Sequence, residues 1–263
     1  MTIVDSERLA QAGLALEHDG EVLTVILDKP DRRNCQTPSM WHTLDAIGQA
    51  VPDEVRVVVV KGAGDSFSAG IDTRLLSPEG IAGEESVLEL MSGGDDQILD
   101  AIDGYQKGFT WLADPRFVSI AAVHGYAIGA GFQLALACDL RVVADDTKFC
   151  MKEPALGLVP DLAGTKPLVD AVGYARALEI CATARYVEAD EAVDLGLATV
   201  VVPRAELDAA THDLAGAVLG SNTGAVRETK SLLQQAPQRD LEEQRLAERQ
   251  AQVRRFRELV GGG

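Results

Sequence analysis

The sequence predicts an α/β protein built on a parallel sheet, and three observations carry that expectation. Short β-branched apolar runs recur at VLTVIL (22–27), VRVVVV (55–60), VSIAAV (118–123) and LRVVA (140–144). Their apolar positions are consecutive rather than alternate, the pattern of strands covered on both faces. Loops and segments of helical spacing separate them, so strand and helix alternate as parallel connections require.

Each element has its own signal. The run at 22–27 stops before the breaker Pro30, and Thr37-Pro38 then opens a helix. Thr37 is its expected N-cap and Pro38 its first residue, where a missing N–H costs nothing. Trp41, Leu44, Ala46 and Ile47 follow at helical spacing, and Gly62 and Gly64 turn the chain after 55–60. The segment 77–114 reads as partly helical and as a mobile insertion, broken by acidic and glycine-rich stretches such as Gly93-Gly94-Asp95-Asp96. The run at 118–123 ends at His124-Gly125, and GYAIGAGFQLALACD is a glycine-rich turn feeding an apolar helix. After Pro203 only helices are expected. The last, DLEEQRLAERQAQVRRFRELV, spaces Leu246, Val253, Phe256 and Val260 by about three and four, a narrow stripe suited to a second subunit or to the chain's own body. With no linker and no repeat, residues 1–203 read as the core and 204–263 as a helical C-terminal region.

Composition narrows the function. The 263 residues are 46% hydrophobic and 25% charged, ordinary for a globular protein. With 24 Lys+Arg against 41 Asp+Glu, the net charge of −17 repels phosphate backbones and anionic lipid, so neither nucleic acid nor a membrane is an expected partner. Any anionic ligand must find a locally basic pocket. Cys35, Cys138, Cys150 and Cys181 form no C-x-x-C pair and neighbour no histidine at ligand spacing, so no metal site is expected. No secretory signal or membrane-length apolar stretch is present, and a cytoplasmic location follows as the expectation.

Several signatures fail on inspection. Gly129-Ala130-Gly131 begins a dinucleotide fingerprint but meets Leu134 where the third glycine belongs, and no P-loop exists. Ser68 in FSAG has Ser66 two residues before it, not the glycine of a nucleophile elbow. His18, His42, His124 and His212 are scattered and read as surface or packing residues.

Two glycine-bordered turns remain, Phe67–Asp72 and Gly125–Gly131, each after an apolar run. Small residues there let a ligand approach main-chain N–H groups. At the second turn those groups also open a helix, which favours negative charge. Two N–H groups converging on one carbonyl oxygen would stabilise it as it becomes enolate-like. Further on, Glu153 and Asp161 lie eight residues apart in an apolar Pro/Gly loop, where desolvation suits a carboxyl for proton transfer. The competing reading pairs Glu153 with Lys148, Lys152 or Lys166 at the surface.

These segments resemble the crotonase superfamily, the enoyl-CoA hydratase/isomerase family. The matching stretches are Pro30-Asp31-Arg32-Arg33-Asn34, FSAGID, HGYAIGAGFQLALACDLRVVAD, the Glu153 loop through Ala163-Gly164-Thr165, and GYARALEICATARYVEADEAVDLGLATVVVP. The resemblance implies a crotonase-like fold of repeated ββα units, with C-terminal helices building a homotrimer or homohexamer. It implies acyl-CoA thioesters as substrates and no metal or redox cofactor. It assigns the oxyanion hole to the N–H groups of Ile71 and Ala130, and acid/base work to Glu153. Gln133 stands where hydratases carry a second glutamate, and it cannot shuttle a proton at neutral pH. Asp161 stands where the dienoyl-CoA isomerase branch carries a catalytic carboxylate, so either isomerisation or hydration is implied, with Gln133 orienting the acyl chain or a water. Ala69, Gly70, Asp72 and Gly129 are expected to contribute to substrate or CoA binding, and Arg32, Arg33 and Arg74, near Lys29, to receive CoA phosphates. Arg254, Arg255 and Arg257 would add charge from this chain or a neighbour. A non-catalytic acyl-CoA-binding protein and a thioester hydrolase or decarboxylase of the same family are the alternatives.

Overall fold

The computed structural model describes residues 3–261. In chain order the elements are α1 (Ser6–Ala12), β1 (Leu14–Asp19), β2 (Val22–Leu27), α2 (Pro38–Gln49), β3 (Val57–Gly62), α3 (Val87–Met91), α4 (Asp95–Thr110), β4 (Val118–Val123), β5 (Tyr126–Ile128), α5 (Ala130–Ala137), β6 (Leu140–Ala144), β7 (Lys148–Cys150), α6 (Thr165–Val172), α7 (Tyr174–Thr183), β8 (Val187–Glu188), α8 (Ala189–Asp194), β9 (Val200–Val202), α9 (Leu207–Leu219), α10 (Thr223–Gln235) and α11 (Leu241–Gly261). The main sheet has the order β1-β2-β3-β4-β6-β9, and a small one the order β5-β7-β8. From β2 to β9 the main sheet is parallel; β1 closes one edge as an antiparallel hairpin with β2.

The consecutive valines of β3 are explained by the pleat, which sends successive side chains to opposite faces. Val58 and Val60 join the larger core with Trp41, Leu44 and Ile47 of α2 and with Tyr105 and Phe109 of α4. Val57 and Val59 join a second core with Ile120, Ala122 and Val142 beneath Leu207 and Ala215 of α9. Both faces of the central strands are therefore covered, as the sequence implies.

The differences from the sequence reading have local causes. The strand expected at 55–60 runs from Val57 to Gly62: Val55 is buried without being paired, while Lys61 and Gly62 continue the ladder. β1 escapes notice because LALEHD loses its apolar character towards the exposed sheet edge. The three-residue strands β5 and β7 are too short to show a period. The segment 77–114 contains the sixteen-residue α4, and its apparent interruption is a helix start: Gly94 is the N-cap, and Asp95 and Asp96 occupy the first turn, where the helix dipole favours acids. Thr37 sits at the N-cap of α2 but makes no side-chain capping bond. Glu84 takes that role, accepting from the Ser39 N–H at 3.0 Å and the Ser39 hydroxyl at 2.5 Å. Glu85 accepts the Tyr105 hydroxyl at 2.5 Å. The acidic stretch is thus fastened onto α2 and α4.

In the C-terminal region, α10 is anchored by the buried Lys230. Its ammonium donates to Asp114 O (2.7 Å), Phe117 O (2.8 Å) and Asp139 Oδ2 (2.7 Å). The helix α11 lies on α10 through Arg254–Glu228 (2.6 Å) and Arg255–Asn222 (2.8 Å), with Ala251 its buried residue. Leu246, Val253, Phe256 and Val260 stay exposed, so the apolar stripe does not pack on the chain's own body. No helix among the described residues is long and apolar enough to cross a membrane. Lys230→Met leaves Asp139 partly buried without its cation and should cost about 3 kcal/mol, read as a lower urea midpoint with an unchanged m-value.

Candidate active site

The two turns meet because β3 and β4 are parallel neighbours and end on the same side. Asn34 fastens the first. Fully buried at φ +52°, it accepts the Lys29 N–H at 2.9 Å and donates to Ala63 O (2.8 Å) and Ser66 O (2.7 Å). The turns are then laced together: Phe67 N donates to His124 O and Ser68 N to Tyr126 O, both at 2.8 Å, while Ile128 N donates to Ser68 O at 3.0 Å. The approach is so close that a Cβ on Gly70 (φ +85°) would lie 2.5 Å from Ile128 O, and one on Gly131 the same distance from Ser68 O. Glycine is required at both by contact, and at Gly70 by conformation as well.

The direction of the two candidate amides follows from their peptide planes. In a trans peptide, C=O and N–H point opposite ways. Gly70 O accepts the Gln36 N–H at 2.8 Å, so the Ile71 N–H of the same unit points away from Gln36. Gly129 O accepts the Gln133 N–H at 2.9 Å, so the Ala130 N–H points out of the N-terminus of α5. Ala130 N lies 3.5 Å from the Cβ position of Gly70, so it sits beside the residue that precedes Ile71. Alanine at 130 keeps the helical backbone and the donor.

Glu153 is buried, and its loop holds it against this junction. A Cβ on Gly129 (φ +53°) would lie 3.2 Å from Glu153 Oε1. Oε1 accepts the Gln133 amide at 2.7 Å, whereas Oε2 is buried with no hydrogen-bond partner among the described residues. Burial raises the Glu153 pKa and the nearby Asp161 charge adds to it, while its own main chain and Gln133 act in the opposite direction. Burial likewise raises the Asp161 carboxyl. The surface alternative fails: Lys148 pairs with Glu188 at 3.5 Å and Lys166 with Asp170, while Lys152 is exposed.

Two site expectations need correction. Gln133 does not have its side chain available for a ligand as expected. Its Oε1 takes the N–H groups of Leu162 (2.9 Å) and Gly164 (3.2 Å) and its Nε2 holds Glu153, so it orients the catalytic candidate and the Asp161 loop. Asp72 is buried at 2% exposure with its carboxylate wholly engaged, so it contacts no ligand through its side chain. It accepts from Arg74 (2.7 Å), Arg32 (3.1 Å) and the Cys35 thiol (3.2 Å). These bonds, Arg74 first, hold its pKa far below the usual carboxylate range. Burial and the Asp72 bond push the Cys35 thiol up to about 11, leaving it an inert neutral group. Arg32 and Arg74 keep about half their side-chain surface exposed, so the pair still presents cation to solvent. Arg33 is exposed, its guanidinium 5.5 Å from the Tyr126 ring centroid. Arg254 and Arg255 are engaged by Glu228 and Glu258. Ala69 is half-buried between the turns, its N–H bonded to Arg33 O at 2.8 Å. His124 is buried against Gly64 O at 3.0 Å, and His18 and His212 are exposed. No sequence signal marks Gln36, a polar residue between two motif positions.

The chain is similar to known proteins over most of its length. The family described as enoyl-CoA hydratase/isomerase matches residues 17–259. A peroxisomal Delta(3,5)-Delta(2,4)-dienoyl-CoA isomerase of Arabidopsis thaliana is 34% identical over 220 residues, covering 82% of this chain and 78% of the relative. A crystal structure from Thermobifida fusca YX in complex with CoA superposes with a TM-score of 0.94 at 48% identity, covering 99% of each chain. Another from that organism, with acetoacetyl-CoA, gives a TM-score of 0.93 at 49% identity, covering 97% of this chain and 98% of the other.

Asp72 also yields a stability test. Its folded pKa is depressed, so its contribution is present above the unfolded value and disappears as pH falls through the folded one. Asp72→Asn should therefore lower neutral-pH stability by about 1–2 kcal/mol, the half-exposed arginines limiting the effect. The gap to wild type should narrow below the ordinary carboxylate range, as followed by chemical denaturation across pH.

Proposed function

Because the chain belongs to the enoyl-CoA hydratase/isomerase family, we propose that it moves double bonds in an unsaturated acyl-CoA thioester by transferring protons between carbons. The observation that carries this reading is Glu153 Oε2, a buried carboxylate oxygen without a hydrogen-bond partner among the described residues, beside the glycine that precedes the Ala130 amide. A desolvated carboxylate with a raised pKa is a stronger base than one in water, and here it has no competing bond to break.

In this scheme the thioester oxygen sits on the Ile71 and Ala130 N–H groups, which stabilise negative charge on it by a few kcal/mol each. Taking a 3,5-dienoyl thioester as substrate, Glu153 removes a proton from C2, the carbon next to the carbonyl. The electron pair delocalises through the diene onto oxygen. Protonated Asp161 returns a proton to C6, leaving double bonds at C2 and C4, and proton exchange between the acids or with solvent resets the site. Protons and electrons balance without an oxidant, a reductant or a metal. The engagement of Gln133 weighs against hydration by a glutamate pair, and the isomerisation reading rests on Glu153 and Asp161, since the isomerase branch carries a further acid where Gln133 stands. Arg32 and Arg74, gathered by Asp72, and the exposed Arg33 are the proposed seats for CoA phosphates.

We extend the reading to assembly and location. Exposed Leu246, Val253 and Phe256 on α11 and Leu158, Val159 and Tyr174 around α7 are apolar surface that a homotrimer, or a dimer of trimers, would cover. Four free thiols suit the reducing cytoplasm. Light scattering on the purified chain should give a mass that is a multiple of three protomers; a monomer would remove this part.

Incubation with a 3,5-dienoyl-CoA and with crotonyl-CoA tests the reaction. Growth of conjugated 2,4-dienoyl absorbance supports isomerisation, loss of the crotonyl chromophore would instead give hydration, and neither change would sink both. Glu153→Gln should reduce turnover by at least about 100-fold and stop solvent-deuterium exchange at C2. Asp161→Asn should stop diene formation while C2 exchange continues. Exchange surviving in Glu153→Gln would reassign the base.

The pH profile has a definite sign. Activity requires Glu153 ionised and Asp161 protonated, and both carboxyls are raised, so kcat should be bell-shaped with both limbs above the ordinary carboxylate range. Gln133→Glu puts a second carboxyl where Nε2 now lies 2.7 Å from Glu153 Oε1. The like charge raises Glu153 further, so the acid limb should move to higher pH and crotonyl-CoA hydration should increase.

A further inference from the structure

We infer that Gln36, together with Trp41 and Ser68, is a positioning device that aims the Ile71 amide of the oxyanion site. This rests on the enoyl-thioester reading above and concerns residues that contact no substrate in that reading. Gln36 is fully buried, and its main chain grips both flanks of Ile71: its N–H donates to Gly70 O and its C=O accepts from Asp72 N–H, each at 2.8 Å. Any residue but proline could make those two bonds. The side chain adds what only a carboxamide can. Its Oε1 accepts the Trp41 indole N–H at 2.8 Å, and its Nε2 donates to Ser68 Oγ at 3.1 Å. Ser68 Oγ in turn accepts the Gly70 N–H at 3.2 Å and donates to Asn34 O at 2.7 Å. Both peptide units around Gly70 are thereby held, one through a hydroxyl and the other through the Gln36 main chain.

The far end of this chain of bonds is rigid. Trp41 is buried on α2, its ring 5.0 Å from Tyr105 and 6.3 Å from Phe109 of α4, centroid to centroid. Gly108 lets α4 close on it, since a Cβ there would lie 2.3 Å from Trp41 O. Gly70, at φ +85°, is the residue whose freedom most needs restraint. An amide fixed before charge develops needs no reorganisation when the substrate ionises, which is how such donors accelerate a reaction. An apolar residue at 36 would fill the space but strand a buried indole N–H and weaken the serine's hold on Gly70.

The test separates aiming from mere packing. The variants are Gln36→Met, which keeps volume and main-chain bonds, and Trp41→Phe, which removes the N–H and keeps an aromatic ring. The probe is 4-dimethylaminocinnamoyl-CoA, whose absorbance moves to the red when its thioester carbonyl is polarised. Wild type should show the red shift on binding. Each folded variant should lose more than half of it, with kcat down about 10-fold and KM within about 3-fold, the pattern of a lost transition-state interaction. A purely structural role would lower the melting temperature and leave the red shift of the folded protein intact, and that result overturns the inference. Wild type binding the probe without any red shift would overturn the thioester reading and this inference together. Should Gln36→Met not fold, Trp41→Phe and Ser68→Ala supply the same comparison.

Discussion

The close approach of two main-chain turns is the constraint on which the site depends. A single methyl group at Gly70 would fall 2.5 Å from Ile128 O, and one at Gly131 would strike Ser68 O at the same distance. That spacing exists because adjacent parallel strands deliver both turns to the same sheet end, where the Ser68–Ala127 bridge continues the pairing beyond β3 and β4. The carbonyls of the Gly70 and Gly129 peptide units are bonded within the protein, so the N–H groups of Ile71 and Ala130 point the opposite way. In the proposed oxyanion site these main-chain donors act without any charged group. In a chain of net charge −17 this matters, because a dipolar site attracts developing negative charge without a counterion.

Charge is handled differently at two points near that junction. Asp72 is almost fully buried, yet its carboxylate receives two guanidinium groups and a thiol, so ionisation is favoured and the arginines are held in place. Glu153 is also buried but receives one neutral amide, and its second oxygen receives no bond from the described residues. The two acids therefore shift in opposite directions for reasons visible in their partners. One serves geometry and the other carries a free-energy penalty when ionised. In the folded chain the raised Glu153 stabilises only at low pH and opposes folding as pH rises through its folded pKa. An unpaired buried carboxylate persists where structure elsewhere offsets it, the pattern expected of a group kept for chemistry.

How much of this was legible in the sequence depends on the length scale of each signal. The runs 22–27, 118–123 and 140–144 coincide with β2, β4 and β6: nearly every residue of β4 is buried, and even β2, which fully buries alternate residues, leaves the others only half exposed. β5, β7 and β8 have three residues or fewer and carry no period. Gly93-Gly94-Asp95-Asp96 was open to two readings, since a helix N-terminus and a loop favour the same residue types; tertiary contact of Tyr105 and Phe109 with Trp41 decides it. Glu153 and the two glycine turns were legible as a group through the family resemblance. The engagement of Asp72 was not, because a carboxylate next to arginines in sequence does not reveal whether it is buried. Gln36 left no trace, its value lying in partners 5 and 32 residues away.

Gln133 shows how one side chain can tie two parts of the candidate site together. Its carbonyl oxygen binds two N–H groups of the Asp161 loop, a task a carboxylate oxygen would perform as well. Its amide nitrogen donates to Glu153, a task no ionised carboxylate can perform. A glutamate here would set two carboxylates against each other and force them to share a proton. With glutamine, Glu153 titrates beside a neutral donor, and the Asp161 loop is tied through the same side chain to the base. The one side chain therefore ties the position of the Asp161 loop to that of Glu153.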